Sequence, residues 1–161
     1  MIRITDQYFW NVVFIAFYVC LLTMGVIILD TEAQISYQEL DLFDIVIISL
    51  ASFRLIRLFV YDTMTKFFRE QFYDAKITKA GKVTLYKPVK GPRRTIHDLM
   101  NCPWCFGVWA STLITFFYLL TPLAYFPILL LAVSSIATFL QLFTNMVGHK
   151  AEQLKNENEG R

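Results

Sequence analysis

Four long apolar runs, at residues 9–29, 43–60, 103–120 and 126–145, limit what this chain can fold into. Each is close to the length needed to cross a hydrocarbon layer about 30 Å thick at a helical rise of about 1.5 Å per residue. They predict an integral membrane protein: all-α, a four-helix bundle forming one membrane domain over 1–161, with residues 61–102 as the long connecting loop. Hydrophobic residues make up 56% of 161, too many for a soluble domain of this size to hide. The first run is too long for a signal-peptide core, and Asp30-Thr31-Glu32 follows it with no small-residue cleavage pattern. It is expected to stay attached as a span.

The charges of the loops set the expected orientation. Residues 30–41 carry Asp30, Glu32, Glu39 and Asp41 and no Lys or Arg. Residues 61–102 carry Lys66, Arg69, Lys76, Lys79, Lys82, Lys87, Lys90, Arg93 and Arg94. The positive-inside rule makes the second segment cytoplasmic, and an even number of spans then puts both termini there too. Arg3, Lys150, Lys155 and Arg161 agree, and Trp10 and Trp104 fall at the cytoplasmic boundary, where indoles favour the headgroup layer.

The second run is unusual because Arg54 and Arg57 lie inside it. Ending the helix before Arg54 would leave about 11 residues, or about 17 Å, which is too short to cross. At about 100° per residue, Arg54, Arg57, Tyr61 and Thr65 share one stripe. Either the guanidinium groups reach headgroups or pair within the bundle, with Asp62 and Asp98 as candidate partners, or they line a site for an anionic ligand or lipid. Beyond Val60 the pattern stays helical to about Tyr73, with Asp62, Lys66 and Glu70 spaced as an ion-pair ladder. Residues 77–79 and 82–86 alternate around Ala80-Gly81 as a small hairpin. Gly91-Pro92 breaks the chain, and a helical turn over 95–100 leads to the third run.

The short uncharged link 121–125 predicts that the third and fourth spans are antiparallel neighbours. Gly107, Ser111, Ala132, Ser134, Ser135 and Ala137 would permit close helix approach, while the polar tail 148–161 is expected to fray. Cys20, within the first span, reads as a small apolar side chain.

Cys102-Pro103-Trp104-Cys105 opens the third span. Proline is favoured at the first helical position because it has no N–H to leave unpaired, so Cys102 becomes the cap and Cys105 lies one turn inside. The helix dipole and the basic loop both favour a thiolate at Cys102. A thiol oxidase of the quinone-coupled kind would need its pair on the oxidising face and a second pair to exchange with. A zinc site could recruit His97, with Asp98 or a second subunit completing the set, but the chain supplies no evident fourth ligand. Reduced thiols that cap and pack are the favoured reading, with no cofactor.

Residues 51–58 (ASFRLIRL) with Tyr61-Asp62, then Gly91-Pro92-Arg93-Arg94 and residues 102–109 (CPWCFGVW), resemble an uncharacterised bacterial membrane-protein family of unknown function, that of the Bacillus sporulation protein YjcA. The resemblance covers about residues 43–145 and implies a bacterial or phage membrane protein, without bringing a reaction or cofactor. The expectation is a non-enzymatic adaptor or assembly factor of the inner membrane. In it Arg54, Arg57, Asp62, Arg93 and Arg94 meet the Cys102 helix start at the headgroup layer and bind anionic lipid or an acidic segment of a partner, either another protein or a second copy in a homo-oligomer. A thiol or metal enzyme centred on Cys102, Cys105 and His97 is the rival. A transporter or channel subunit would need broken helices or midplane carboxylates, and nucleic acid is not an expected partner of so short a basic loop.

Overall fold

Asp41 and Asp44 illustrate how locally the helices of this chain are specified. The Asp41 N–H donates to Asp44 Oδ2 at 3.1 Å, and the Asp44 N–H donates to the Asp41 carbonyl at 3.1 Å, so the start of the second helix is tied at both ends of its first turn. The computed structural model describes residues 4–32, 40–77 and 83–159. In chain order these form α1 (Ile4–Glu32), α2 (Leu42–Val60), a 3-10 turn, α3 (Lys66–Glu70), β1 (Asp74–Ile77), β2 (Val83–Tyr86), α4 (Pro92–Asn101), α5 (Pro103–Leu120), a second 3-10 turn and α6 (Tyr125–Glu159). The fold is all-α apart from one antiparallel hairpin, in which Asp74 faces Tyr86 and Ile77 faces Val83. The expected turn at Ala80-Gly81 and most of the acidic loop before Leu40 lie outside the described residues.

Among the described residues three helices, α1, α5 and α6, are long and apolar enough to cross a membrane. The 19-residue α2 is about as long as the 18-residue α5, about 28 Å. Asp44, Arg54 and Arg57 make its apolar run, 43–60, the charged one of the four. It is nevertheless the centre of the bundle. Ile47, Ile48 and Ala51 of α2 pack with Ile114, Tyr118 and Leu119 of α5 and with Ile128 and Ala132 of α6 into one buried cluster. Ala51 and Ser135 are 0% and 1% exposed, so small side chains sit where backbones approach most closely. Gly107 serves the same end, since a Cβ there would come within 3.3 Å of Ile56 Cδ1.

Three expectations need correcting. α5 and α6 are joined by a short turn but barely touch each other, because α2 lies against both and takes the place of direct contact. The helix after α2 does not continue to Tyr73: it breaks at Tyr61 and Asp62, and only Lys66–Glu70 resumes as α3. The tail beyond Gly148 is not frayed, since α6 runs on as helix to Glu159. Of the small residues expected at interfaces, Ala132 and Ser135 are buried, whereas Ser111 and Ala137 are exposed.

α1 is held along one seam only. Gln7, Trp10, Phe14, Tyr18, Gly25 and Leu29 are half-buried at helical spacing, and the positions between them are exposed and mostly apolar. Polar contacts pin the seam at two depths. Near the start of α1, Gln7 Nε2 donates to Thr95 Oγ1 of α4 at 2.9 Å. Further along, the Tyr18 and Thr112 hydroxyls share a hydrogen bond of 2.6 Å with Trp109 packed beside them. The N-terminal end of α1, the C-terminal end of α2, α4 and the start of α5 therefore meet at one end of the bundle.

Candidate functional site

The arginine-bearing end of α2 is an interlocked helix terminus. A helix leaves its last carbonyls without intrahelical donors, and here two side chains from downstream supply them. The Thr65 hydroxyl donates to the Leu58 carbonyl and, at 3.3 Å, to that of Asp62. Arg69 donates through Nη1 to the carbonyls of Val60 and, at 3.3 Å, Phe59, and through Nη2 to that of Asp62 at 3.3 Å. With the chain folded back in this way, the Asp62 carboxylate meets Arg54, Oδ2 to Nη1, at 3.3 Å. Asp62, and not Asp98, is thus the partner of the deeper arginine. Lys66 and Glu70 pair at 3.5 Å, but Asp62 has left the expected ladder for Arg54.

Arg57 is handled differently. Its guanidinium carbon lies 5.5 Å from the centre of the Tyr61 ring, a cation–π arrangement that follows from the stripe the two residues share. Among the described residues its buried Nε finds no hydrogen-bond acceptor and no carboxylate pairs with it.

Arg93 and Arg94 form a second group with their own partners. Arg93 donates to the Gln71 carbonyl at 2.7 Å and pairs with Asp74 at 3.4 Å. Arg94 donates to the Val89 carbonyl at 2.9 Å and stands 3.9 Å from Asp98. Asp98 in turn pairs with Lys87 at 2.7 Å and His97 Nδ1 at 3.1 Å. Burial alone would raise the Asp98 pKa, but hydrogen bonds from Lys87 and His97 outweigh it and hold the carboxyl below its ordinary value. Its contribution to stability is complete above the unfolded pKa and is lost as pH falls through the lower folded one. Gly91, at φ 89°, makes the turn that starts α4, a backbone state few other residues adopt without strain.

His97 is buried, with the Tyr73 ring edge-on at 4.5 Å, and its carbonyl accepts from Asn101 Nδ2 at 2.7 Å. Its Nε2 has no partner among the described residues. Among the described residues no three His, Cys, Asp or Glu side chains converge as a ligand set.

At the start of α5, Cys102 caps the helix as the spacing predicts: the Cys105 N–H donates to Cys102 Sγ at 3.3 Å, and Pro103 occupies the first turn. The two sulfurs are 2.6 Å apart and neither is in a disulfide. The hydrogen bond from the Cys105 thiol, followed by that from the Cys105 backbone, holds the Cys102 thiol below its ordinary range. Trp104, 87% exposed, stands beside the pair.

Sequence reasoning passed over Asp44, and it placed Thr65 on the arginine stripe and Arg69 in the basic loop without giving either a contact. Asp44 accepts from the Tyr118 hydroxyl at 2.7 Å as well as from Asp41, linking α2 to α5 across the bundle. Its signal was available in the Asp41–Asp44 spacing, which is a capping pattern. Arg69 and Thr65 act through main-chain acceptors, for which composition gives no signal.

These elements define an all-α protein with apolar helices suited to a membrane and a polar cap at one end. Residues 47–144 match the family described as Protein of unknown function (DUF1360), and the chain belongs to that family. It is 37% identical over 102 residues to Sporulation protein YjcA of Bacillus subtilis (strain 168), covering 60% of this chain and 86% of the relative. It is 33% identical over 106 residues to UPF0713 protein YngL of the same organism, covering 64% of this chain and 79% of that one. No solved structure matches. The resemblance read from the arginine-bearing helix and the cysteine motif is borne out, and α1 lies before the region the family matches.

Proposed function

We propose that this is a bacterial inner-membrane protein of four spans, α1, α2, α5 and α6, with both termini cytoplasmic. It acts as a non-enzymatic adaptor whose cytoplasmic end binds anionic lipid or an acidic segment of a protein partner. Pairing with Asp62 lets Arg54 lie in α2 at low cost, and the basic segment gathers at the bundle end to which Gln7 and Thr95 also fasten the start of α1. One relative is named for sporulation, which makes that process the first setting in which to look for the partner.

Arg57 carries the binding reading. A guanidinium whose Nε is buried without an acceptor, at the end of a membrane helix, is a group in want of an anion. Arg57→Ala and Arg57→Lys should be purified in mild detergent beside the parent and their bound lipid measured by mass spectrometry. The parent is expected to retain phosphatidylglycerol or cardiolipin, Arg57→Ala to lose it while keeping its helicity, and the lysine variant to recover only part, because a point charge cannot replace the planar fork. Equal retention by all three would remove Arg57 from the site.

Orientation is tested separately. Reporter fusions at Glu39 and Lys79 are expected on opposite faces, with Lys79 cytoplasmic. An external Lys79 would overturn the orientation and with it the assignment of the basic end to the anionic leaflet.

A further inference from the structure

Capping α5 needs a single acceptor at position 102, which serine, threonine or asparagine would provide at least as well as cysteine. Nothing in the start of the helix calls for a second sulfur one turn on. Yet Cys105 is placed so that its backbone N–H and its thiol both address Cys102, with 3.3 Å from nitrogen to sulfur and 2.6 Å between sulfurs. Cys102 is half-buried and Cys105 exposed, so a small reagent can reach the pair, and the nearly uncovered Trp104 gives an incoming molecule an apolar surface beside it. Cys20 lies well along α1, exposed and free of any disulfide.

We infer that Cys102 and Cys105 form a redox-active dithiol, with Cys102 as the attacking sulfur and Cys105 as the resolving one, taking a low-molecular-weight disulfide as its oxidant. The Cys102 thiolate attacks one sulfur of the reagent disulfide, forming a mixed disulfide and expelling the first thiolate, which takes up a proton. Cys105 then loses its proton and attacks the Cys102 sulfur, expelling the second. Two electrons leave the protein, the reagent is reduced to two thiols, and an intramolecular Cys102–Cys105 bond remains. The site is independent of the arginine-bearing end of α2 and of any ligand held there.

Full-length protein carrying Cys20→Ala in mild detergent, exposed to glutathione disulfide, quenched in acid and weighed intact, tests the assignment. The expected product is the internal disulfide, lighter by two hydrogens and without bound glutathione. Cys105→Ser should stop with one glutathione on Cys102, and Cys102→Ser, whose hydroxyl still caps α5, should react more slowly by about tenfold or more. If the protein with both thiols collects glutathione without closing, or the two serine variants react at equal rates, the assignment fails. The closure measurement on the unsubstituted pair decides the matter even where a serine variant does not fold.

Discussion

Asp44→Ala is expected to destabilise the protein by about 2–4 kcal/mol, the sum of a lost helix-start contact worth about 1 and a hydroxyl left unsatisfied inside the bundle worth about 1–3. The carboxylate serves two clients at once, accepting the Asp41 N–H through one oxygen and the Tyr118 hydroxyl through the other. Tyr118 is buried, so its hydroxyl has little chance of finding water when Asp44 is removed. Tyr118→Phe removes donor and demand together and should cost less, about 1 kcal/mol. The double variant should therefore be more stable than the two single losses summed. Asp44→Asn keeps only one of the two acceptor oxygens and sets an amide N–H where the other stood, so it is expected to recover only part of the loss. Thermal unfolding in detergent, followed by helicity, gives all four values. If Asp44→Ala were no more damaging than Tyr118→Phe, the double role of the carboxylate would be wrong.

The second large effect concerns Arg54. Removing one member of a buried ion pair costs about 3–5 kcal/mol because the other is left uncompensated. Arg54 and Asp62 retain 20% and 31% of their side-chain exposure, so water screens the pair and a smaller cost, about 2–3 kcal/mol, is expected for Arg54→Ala. Asp62→Asn should do comparable harm by stranding the guanidinium. In a double-mutant cycle the two should couple by about 1–3 kcal/mol, while Arg57→Ala, which has no carboxylate partner among the described residues, should couple to neither. An Arg54→Leu protein as stable as its parent would reduce the pair to a coincidence of the surface.

What could be read in advance follows the range of the interactions. Cys102 and Pro103 act on the helix they begin, so the start of α5 was legible from four consecutive residues. The Arg54–Asp62 pair needed only the end of one helix and was foreseen as one of two options. The place of α2 at the centre was not legible, because its charges suggested a helix tolerated in the bundle, and its burial comes from Ile47, Ile48 and Ala51 finding two other helices. Loop length implied that α5 and α6 adjoin, but a short turn fixes only their ends, and α2 occupies the rest. The division of the basic residues into Arg57 and the Arg93–Arg94 group was invisible for a different reason: main-chain carbonyls at Gln71, Val89 and Val60 take up much of what looked like free charge.

The last stretch of α6 has a mechanical consequence. Beyond Gly148 it continues as helix to Glu159 with its described side chains exposed, a projection of about 16 Å at about 1.5 Å per residue. A flexible tail would let whatever is attached to it sample a broad volume, whereas a helix continuous with a packed span transmits tilt and rotation from one end to the other. Anything gripping residues 149–157 thus holds a lever arm, and a rotation of α6 against α2 would be delivered there as a swing rather than dissipated in a tether.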